Sequence, residues 1–432
     1  VTSGSPRRPN IVVVHWHDLG THLPVYGYEV EAPHADRLAA QSTVFTRCFS
    51  ASPLCSPARG ALWTGRYPHS NGLQGLTHRG WEYNAGERTL AMHLGDAGYR
   101  TALIGLQHES REPSRLGFDE IVDCGRNHAP DVAGAAATWL EGRATQEEPF
   151  LLVCGMVEVH RDWPVERYPR PDAGTSDVPG YLPDNEHTRE DLAGFDAAIT
   201  AADDGLGTIL RALDQHELAE DTIVIFTTDH GAPFPRAKST LYDPGVQVAL
   251  MVRLPSALGR DMPRRESGLV SHVDLVPTLL DLLGIEIPDD LQGTSIAATV
   301  VEGAPTTRDE VYLEKTYHAD YDPIRAIRTD SYKYIRNFER RPLLSLPPDL
   351  EASPTRRGMG DAHLAPRPEE ELYDLAADPG ETTNLIGAPE LADVAEDLRS
   401  RLHAFMTSTH DAVLHGPVLP PAAGAHAAGA DR

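Results

Sequence analysis

IVVVHWHD, residues 11–18, sets four branched apolar residues directly against a polar cluster. An unbroken apolar run this short, with no polar residue alternating through it, suits a strand buried on both faces of a parallel sheet. The pattern returns three times. TALIGL (101–106) leads into QHE, FLLVCGMV (150–157) into EVHR, and TIVIFTT (222–228) into DHG. Between these runs lie segments of helical character: APHADRLAAQ (32–41), RTLAMHLGDAGY (88–99), VAGAAATWLEGR (132–143) and a long one over 189–216. Strands alternating with helices predict an α/β fold, a doubly wound and mostly parallel sheet. Ligands of such sheets collect beyond the carboxyl ends of the strands. All four polar clusters fall there.

The texture changes after Ser331. SYKYIRNF (331–338) reads as a strand, residues 340–370 as a Pro-rich loop, ELYDL (371–375) as a short strand and 391–411 as a helix. The expected organisation is a main α/β unit over 1–330, a small α+β unit over 331–414 and a mobile Pro/Ala/Gly-rich tail over 415–432. The net charge of -26 argues against nucleic acid as a partner, which calls for a basic face, and favours a small ligand over a long polyanion. FLLVCGMV falls far short of the ~18 apolar residues that cross a bilayer, so no membrane span is expected. Cys48, Cys55, Cys124 and Cys154 show no CxxC or regular spacing. A zinc knuckle or disulfide framework is therefore not expected, and at least three read as plain core thiols. The start VTSGSPRRPN shows no apolar signal-like run, and a cytoplasmic location is the expectation.

One cysteine has a different setting. In CSPARGALWTG (55–65), Ser56 can cap a helix and Pro57 fits its first position. Cys55 then sits just outside a helix N-terminus, where negative charge is favoured, with Arg59 one turn on. The string Cys-Ser-Pro-Ala-Arg followed by TGRYPHSNG resembles the signature of type I, formylglycine-dependent sulfatases of the alkaline phosphatase superfamily. That resemblance covers Cys55, Pro57, Arg59, Thr64 and Gly65, and further motifs follow in order along almost the whole chain. It implies that Cys55 is oxidised by a formylglycine-generating or equivalent maturation enzyme to an aldehyde whose hydrate is the nucleophile.

The resemblance also implies one divalent metal ion, held by His17-Asp18 after the first strand, Asp229-His230 after the later one, and residue 55. Ca2+ is the family expectation. His17 stands where the family commonly has an acid, and imidazole suits Mn2+, Zn2+ or Fe2+ better than Ca2+. Gly105-Leu106-Gln107-His108 keeps the histidine of a Gly-Lys-x-His motif and lacks its lysine. The lost positive charge at 106 and the lost negative charge at 17 cancel, so restoring Lys at 106 is not expected to raise activity. His160 matches the histidine that protonates the leaving group, and Lys238 the second sulfate-binding lysine, beside Arg59.

TTDHGAPFPRAKSTLYDPG and PHSNGLQGLTH are most similar to heparan N-sulfatase (sulfamidase) and related bacterial sulfatases, and ELYDLAADPGETTNL resembles the family's C-terminal signature. The implied activity is hydrolysis of a small sulfate ester or N-sulfated sugar, with specificity in loops 161–183 and 340–367. Two alternatives stand beside it: a phosphonate monoester or phosphodiester hydrolase of the same superfamily, and an inactive binding homologue in which Cys55 stays a thiol.

Overall fold

The computed structural model describes residues 8–170, 177–259 and 264–421. Among these, nine strands form the main sheet: β1 (Asn10–Trp16), β2 (Thr43–Phe49), β3 (Arg100–Gly105), β4 (Glu120–Val122), β5 (Phe150–Gly155), β6 (Thr222–Thr228), β7 (Gln247–Arg253), β8 (Arg264–Glu266) and β9 (Val270–Ser271). Their order is β4-β3-β5-β1-β6-β7-β2-β8, with β9 also on β2. β1 lies between β5 and β6 and runs parallel to both. β7 is antiparallel to its neighbours β6 and β2. The four apolar runs read from sequence are β1, β3, β5 and β6, adjacent in the sheet, so their polar ends share one edge.

Every residue of β1, β5 and β6 is buried. Alternate side chains divide between two cores. Val12 and Val14 face a layer that includes Phe195, Ile199 and Leu206 of the helix Glu186–Gln215. Ile11 and Val13 face Leu275, Leu279 and Leu283. The period of two along each strand produces this division.

A second sheet follows, with β10 (Glu310–Tyr317), β11 (Tyr321–Thr329), β12 (Tyr332–Asn337) and β13 (Glu370–Asp374) in sequential antiparallel order. The expected division at 330/331 cuts this sheet between β11 and β12. β10 and β11 are largely buried, like the main-sheet strands, so nothing in their texture separates them from the first unit. The stretch expected to be mobile from 415 is held as far as Val418, whose carbonyl accepts from Tyr317 Oη at 2.8 Å and whose N–H donates to Tyr321 Oη at 3.2 Å. Residues 422–432 of that stretch, and 171–176 of loop 161–183, lie outside the described residues. Cys48 and Cys154 are buried free thiols, whereas Cys124 is only half-buried and donates to Arg126 O.

Candidate active site

Two glycines bring the strand ends together. Gly105 has φ +87°, and a Cβ there would lie 2.2 Å from Gly155 O. This close approach lets Leu106 N donate to Gly155 O at 2.8 Å and turns Gln107 and His108 over the sheet edge. At Gly231, a Cβ would lie 1.9 Å from Pro244 O. Only glycine fits directly after Asp229-His230.

The end of β1 turns sharply at Asp18, which has φ +58°, a conformation that costs a non-glycine residue about 1 kcal/mol or more. Asp18 N donates to Asp229 Oδ1 at 2.8 Å. His17 Nδ1 lies 2.6 Å from Asp18 Oδ1 and 3.3 Å from Asp229 Oδ2. His230 Nε2 lies 3.0 Å from Asp18 Oδ1 and 3.5 Å from Cys55 Sγ. One ligand atom from each of His17, Asp18, Cys55, Asp229 and His230 falls within 4.8 Å of all the others, and all five residues are buried. The sequence-predicted metal set converges on one point.

Cys55 opens the helix Cys55–Thr64, which is capped by Leu54 with no side-chain hydrogen bond. The expected N-cap at Ser56 is therefore corrected. The helix begins two residues earlier, and Ser56 Oγ instead accepts from Thr77 N at 3.2 Å. Cys55 is the first helical residue rather than a neighbour of the terminus, still at the positive end of the helix. Arg59, 1% exposed, donates from Nε to Asp229 Oδ2 at 3.1 Å. The ring of His108 stands edge-on to that of His17, 5.2 Å between centroids, and its hydrogen bond is among the influences on the Cys55 thiol. Leu106 lines an apolar cavity with Leu103, Leu116, Phe118 and Arg59. Lys238 donates from Nζ to Asp18 Oδ2 at 2.7 Å, to His160 Nε2 at 3.2 Å and to Asp349 Oδ2 at 2.9 Å.

Charge balance explains the titration of the site. Burial opposes ionisation of Asp18 and Asp229, yet Lys238 and His17 on the first, and His17, His230 and Arg59 on the second, hold both carboxyls well below their ordinary range. Burial likewise opposes charge on His17, but Asp229 and Asp18 outweigh it and raise the imidazole to about 9. His230 is raised in the same way. Burial pushes the Cys55 thiol up, but His17 and Lys238 outweigh it and hold the thiol well below its ordinary value. Burial and Lys238 push His160 down to about 4.

The cluster fits a divalent cation. Its two ionised carboxylates attract positive charge, and His230 Nδ1 is engaged with Gly231 O at 3.0 Å, which leaves Nε2 as the ligand atom facing the cluster.

Residues 9–285 match the protein family described as Sulfatase. The chain belongs to the sulfatase family. Residues 235–357 of this sulfatase also match the family described as N-sulphoglucosamine sulphohydrolase, C-terminal. Human N-sulphoglucosamine sulphohydrolase is 28% identical to it over 88% of this chain and 86% of that protein. An ulvan-active sulfatase of Formosa agariphila is 26% identical over 94% of this chain and 76% of its own length. Among solved structures, a protein crystallised with its substrate D-glucosamine-2-N,6-O-disulfate superposes with a TM-score of 0.74 at 20% identity, covering 95% of this chain and 99% of that one. Membership in the family implies a metal ion, and the five-residue cluster is able to hold one. No helix among the described residues is long and apolar enough to cross a membrane.

Two residues beside the site went unread in the sequence of this sulfatase. Asp349, on the short helix Pro348–Glu351, pairs with Lys238. His318, in the β10–β11 turn, lies within electrostatic reach of Lys238 and Cys55. Pro-Pro-Asp-Leu-Glu carries a helix-start signal, but nothing in it announces that the helix docks at the other sheet's edge.

Proposed function

We propose that this sulfatase hydrolyses a small N-sulfated or O-sulfated sugar, with residue 55 as the nucleophile after its oxidation to formylglycine. The observation that carries this reading is the convergence of Cys55, two carboxylates and two imidazoles within 4.8 Å, flanked by the cations Arg59 and Lys238. Oxidation has to precede folding, because Cys55 is only 6% exposed. A maturation enzyme acting on the unfolded CSPAR segment meets that requirement.

When bound, the divalent metal supplies Lewis acidity that favours ionisation of the hydrate and polarises a sulfate oxygen. His17 and His230 in the donor set favour Mn2+, Zn2+ or Fe2+ over Ca2+.

The chain's own residues do the rest. Arg59 and Lys238 bind and orient the sulfo group. A hydroxyl oxygen on residue 55 bonds to sulfur as the bond to the departing oxygen or nitrogen breaks. His160 delivers a proton to that departing atom. In the resting site His160 is neutral, since burial disfavours its charged form and Lys238 both repels a proton and donates to Nε2. An arriving anion draws the Lys238 hydrogens away and raises the imidazole, which arms it as an acid only with substrate in place. His108, beside Cys55, removes the proton of the second hydroxyl, so that the carbonyl reforms and sulfate is expelled.

The human relative's name and the C-terminal family match support an N-sulfated glucosamine as the sugar. The mass of the tryptic peptide containing residue 55, combined with sulfate release from glucosamine N-sulfate and glucosamine 6-sulfate and phenol release from a phosphonate phenyl monoester, tests the reading. A lighter-than-thiol peptide with sulfate release supports it. Full conversion with turnover of the phosphonate alone rejects it.

A further inference from the structure

The carboxylate of Asp349 is out of keeping with a site for anions. Lys238, the cation offered to the sulfo group, already faces Asp18 at 2.7 Å and receives a second carboxylate from Asp349 at 2.9 Å. Burial locates the mouth of the site. The side chains of His17, Asp18, Asp229, His230 and Lys238 are 0–2% exposed, whereas those of His160 and Asp349 are 28% and 22% exposed. The part of a substrate that stays outside the cluster therefore passes between these two.

Asp349 is fixed in place. Pro347 and Pro348 stiffen the backbone on its N-terminal side, Leu350 N and Glu351 N donate to Pro347 O at 3.0 and 2.9 Å, and Leu350 is fully buried. Oδ2 is engaged by Lys238. Oδ1 has no hydrogen-bond partner among the described residues and is free to accept from a ligand. Burial and Asp18 oppose ionisation of this carboxyl, but Lys238 outweighs them and holds it below its ordinary range.

We propose that Asp349 is a specificity-determining residue: it accepts a hydrogen bond from a hydroxyl or ammonium next to the scissile sulfo group and excludes substrates that carry a second anion there. The inference rests on the sulfatase reading of the site. A neighbouring anion would meet a fixed carboxylate across a partly desolvated gap, where repulsion is far stronger than in bulk water.

Three aryl sulfates differing only at the ortho position test this: phenyl sulfate, 2-hydroxyphenyl sulfate and 2-carboxyphenyl sulfate, with released sulfate measured on enzyme whose conversion at residue 55 has been verified by mass. The wild type is expected to rank hydroxyl above hydrogen above carboxylate in kcat/KM. Asp349→Asn is expected to raise the carboxylate-to-hydrogen ratio about tenfold or more, chiefly through KM, and Asp349→Glu to restore the wild-type order. High salt should narrow the wild-type ratios. Loss of all three activities by one common factor in Asp349→Asn, or ratios unchanged within twofold, would mean that Asp349 only positions Lys238, and would overturn the proposal. Failure of the converted wild type to release sulfate from any of the three, or from glucosamine N-sulfate or glucosamine 6-sulfate, would instead overturn the reading of the site itself.

Discussion

His17 is the residue on which the choice of metal turns. Its Nδ1 faces both Asp18 and Asp229, so it takes a ligand position that an acid would fill with oxygen. His17→Asp is expected to move metal preference toward Ca2+, read as the ion retained after reconstitution in an equimolar mixture of Ca2+, Mn2+ and Zn2+. An unchanged selection would show that His17 contributes no bond. His160, at the mouth, has a different signature. Its removal should cost about 10²-fold or more for an alkyl or amine leaving group that needs a proton, and much less for 4-nitrophenyl sulfate, whose phenolate departs unaided. Equal losses on the two would remove it from the acid role. At position 106 the structure gives the charge-balance expectation a physical basis. Leu106 lines a largely apolar cavity that also holds Arg59 and Glu109, so Leu106→Lys would draw an ammonium out of water into a cavity whose guanidinium and carboxylate already offset each other. Its kcat/KM should stay at or below the wild-type value. His17, Asp18, Asp229 and His230 were legible because they close two of the apolar runs and match the family's ligand pairs, and Cys55 because the family signature surrounds it. Asp349 was not, because an aspartate in a Pro-rich loop looks the same whether it faces solvent or a lysine 111 residues earlier.

Strand ends and one helix start carry the chemistry at the level of elements. β1, β3, β5 and β6 were readable as continuous apolar runs because they are buried on both faces. β2 and β7 escaped: TVFTRCF (43–49) mixes polar with apolar residues and is half-buried at Thr46 and Arg47, and QVALMVR (247–253) ends in no polar cluster. Antiparallel insertion of β7 therefore had no signal of its own. The helix start was displaced by two residues because Pro57 is tolerated throughout a first turn. The close approach of β3 and β5 at their parallel ends gives a prediction at this level. Gly105→Ala would place a methyl 2.2 Å from Gly155 O in a left-handed conformation, so either the ladder opens or the turn to His108 shifts. A loss of about 2–4 kcal/mol is expected from the urea midpoint, with a larger fall in kcat than the stability change explains. A silent substitution would show that the turn is free to relax.

The second sheet is the foundation of the catalytic edge rather than an appendage. Lys315 of β10 donates to Ser239 O at 3.1 Å and Lys333 of β12 to Leu241 O at 2.9 Å, the carbonyls that flank the chain just beyond Lys238. Lys333, fully buried, also bridges Asp243 at 2.6 Å and Glu381 at 2.7 Å. Removing it leaves two buried carboxylates with too little positive charge, and loss of one partner of a buried ion pair costs about 3–5 kcal/mol. Lys333→Met is therefore expected to lower the guanidinium midpoint of the whole chain in one transition, with loss of sulfatase activity in parallel. The pH dependence has a definite sign. Burial, against the pull of Lys333, raises Glu381 to about 7, above its unfolded value near 4.5. The folded state thus binds the extra proton, and the stability from this group is full below about 4.5 and lost as pH rises through 7. Without Lys333 the folded value rises further, so the gap between variant and wild type should be wider at pH 8 than at pH 5.5 when each pair is compared at the same pH. Two separate transitions, with the main sheet melting at its original midpoint, would show instead that the sheets fold independently and that the Lys238 loop stands without this support.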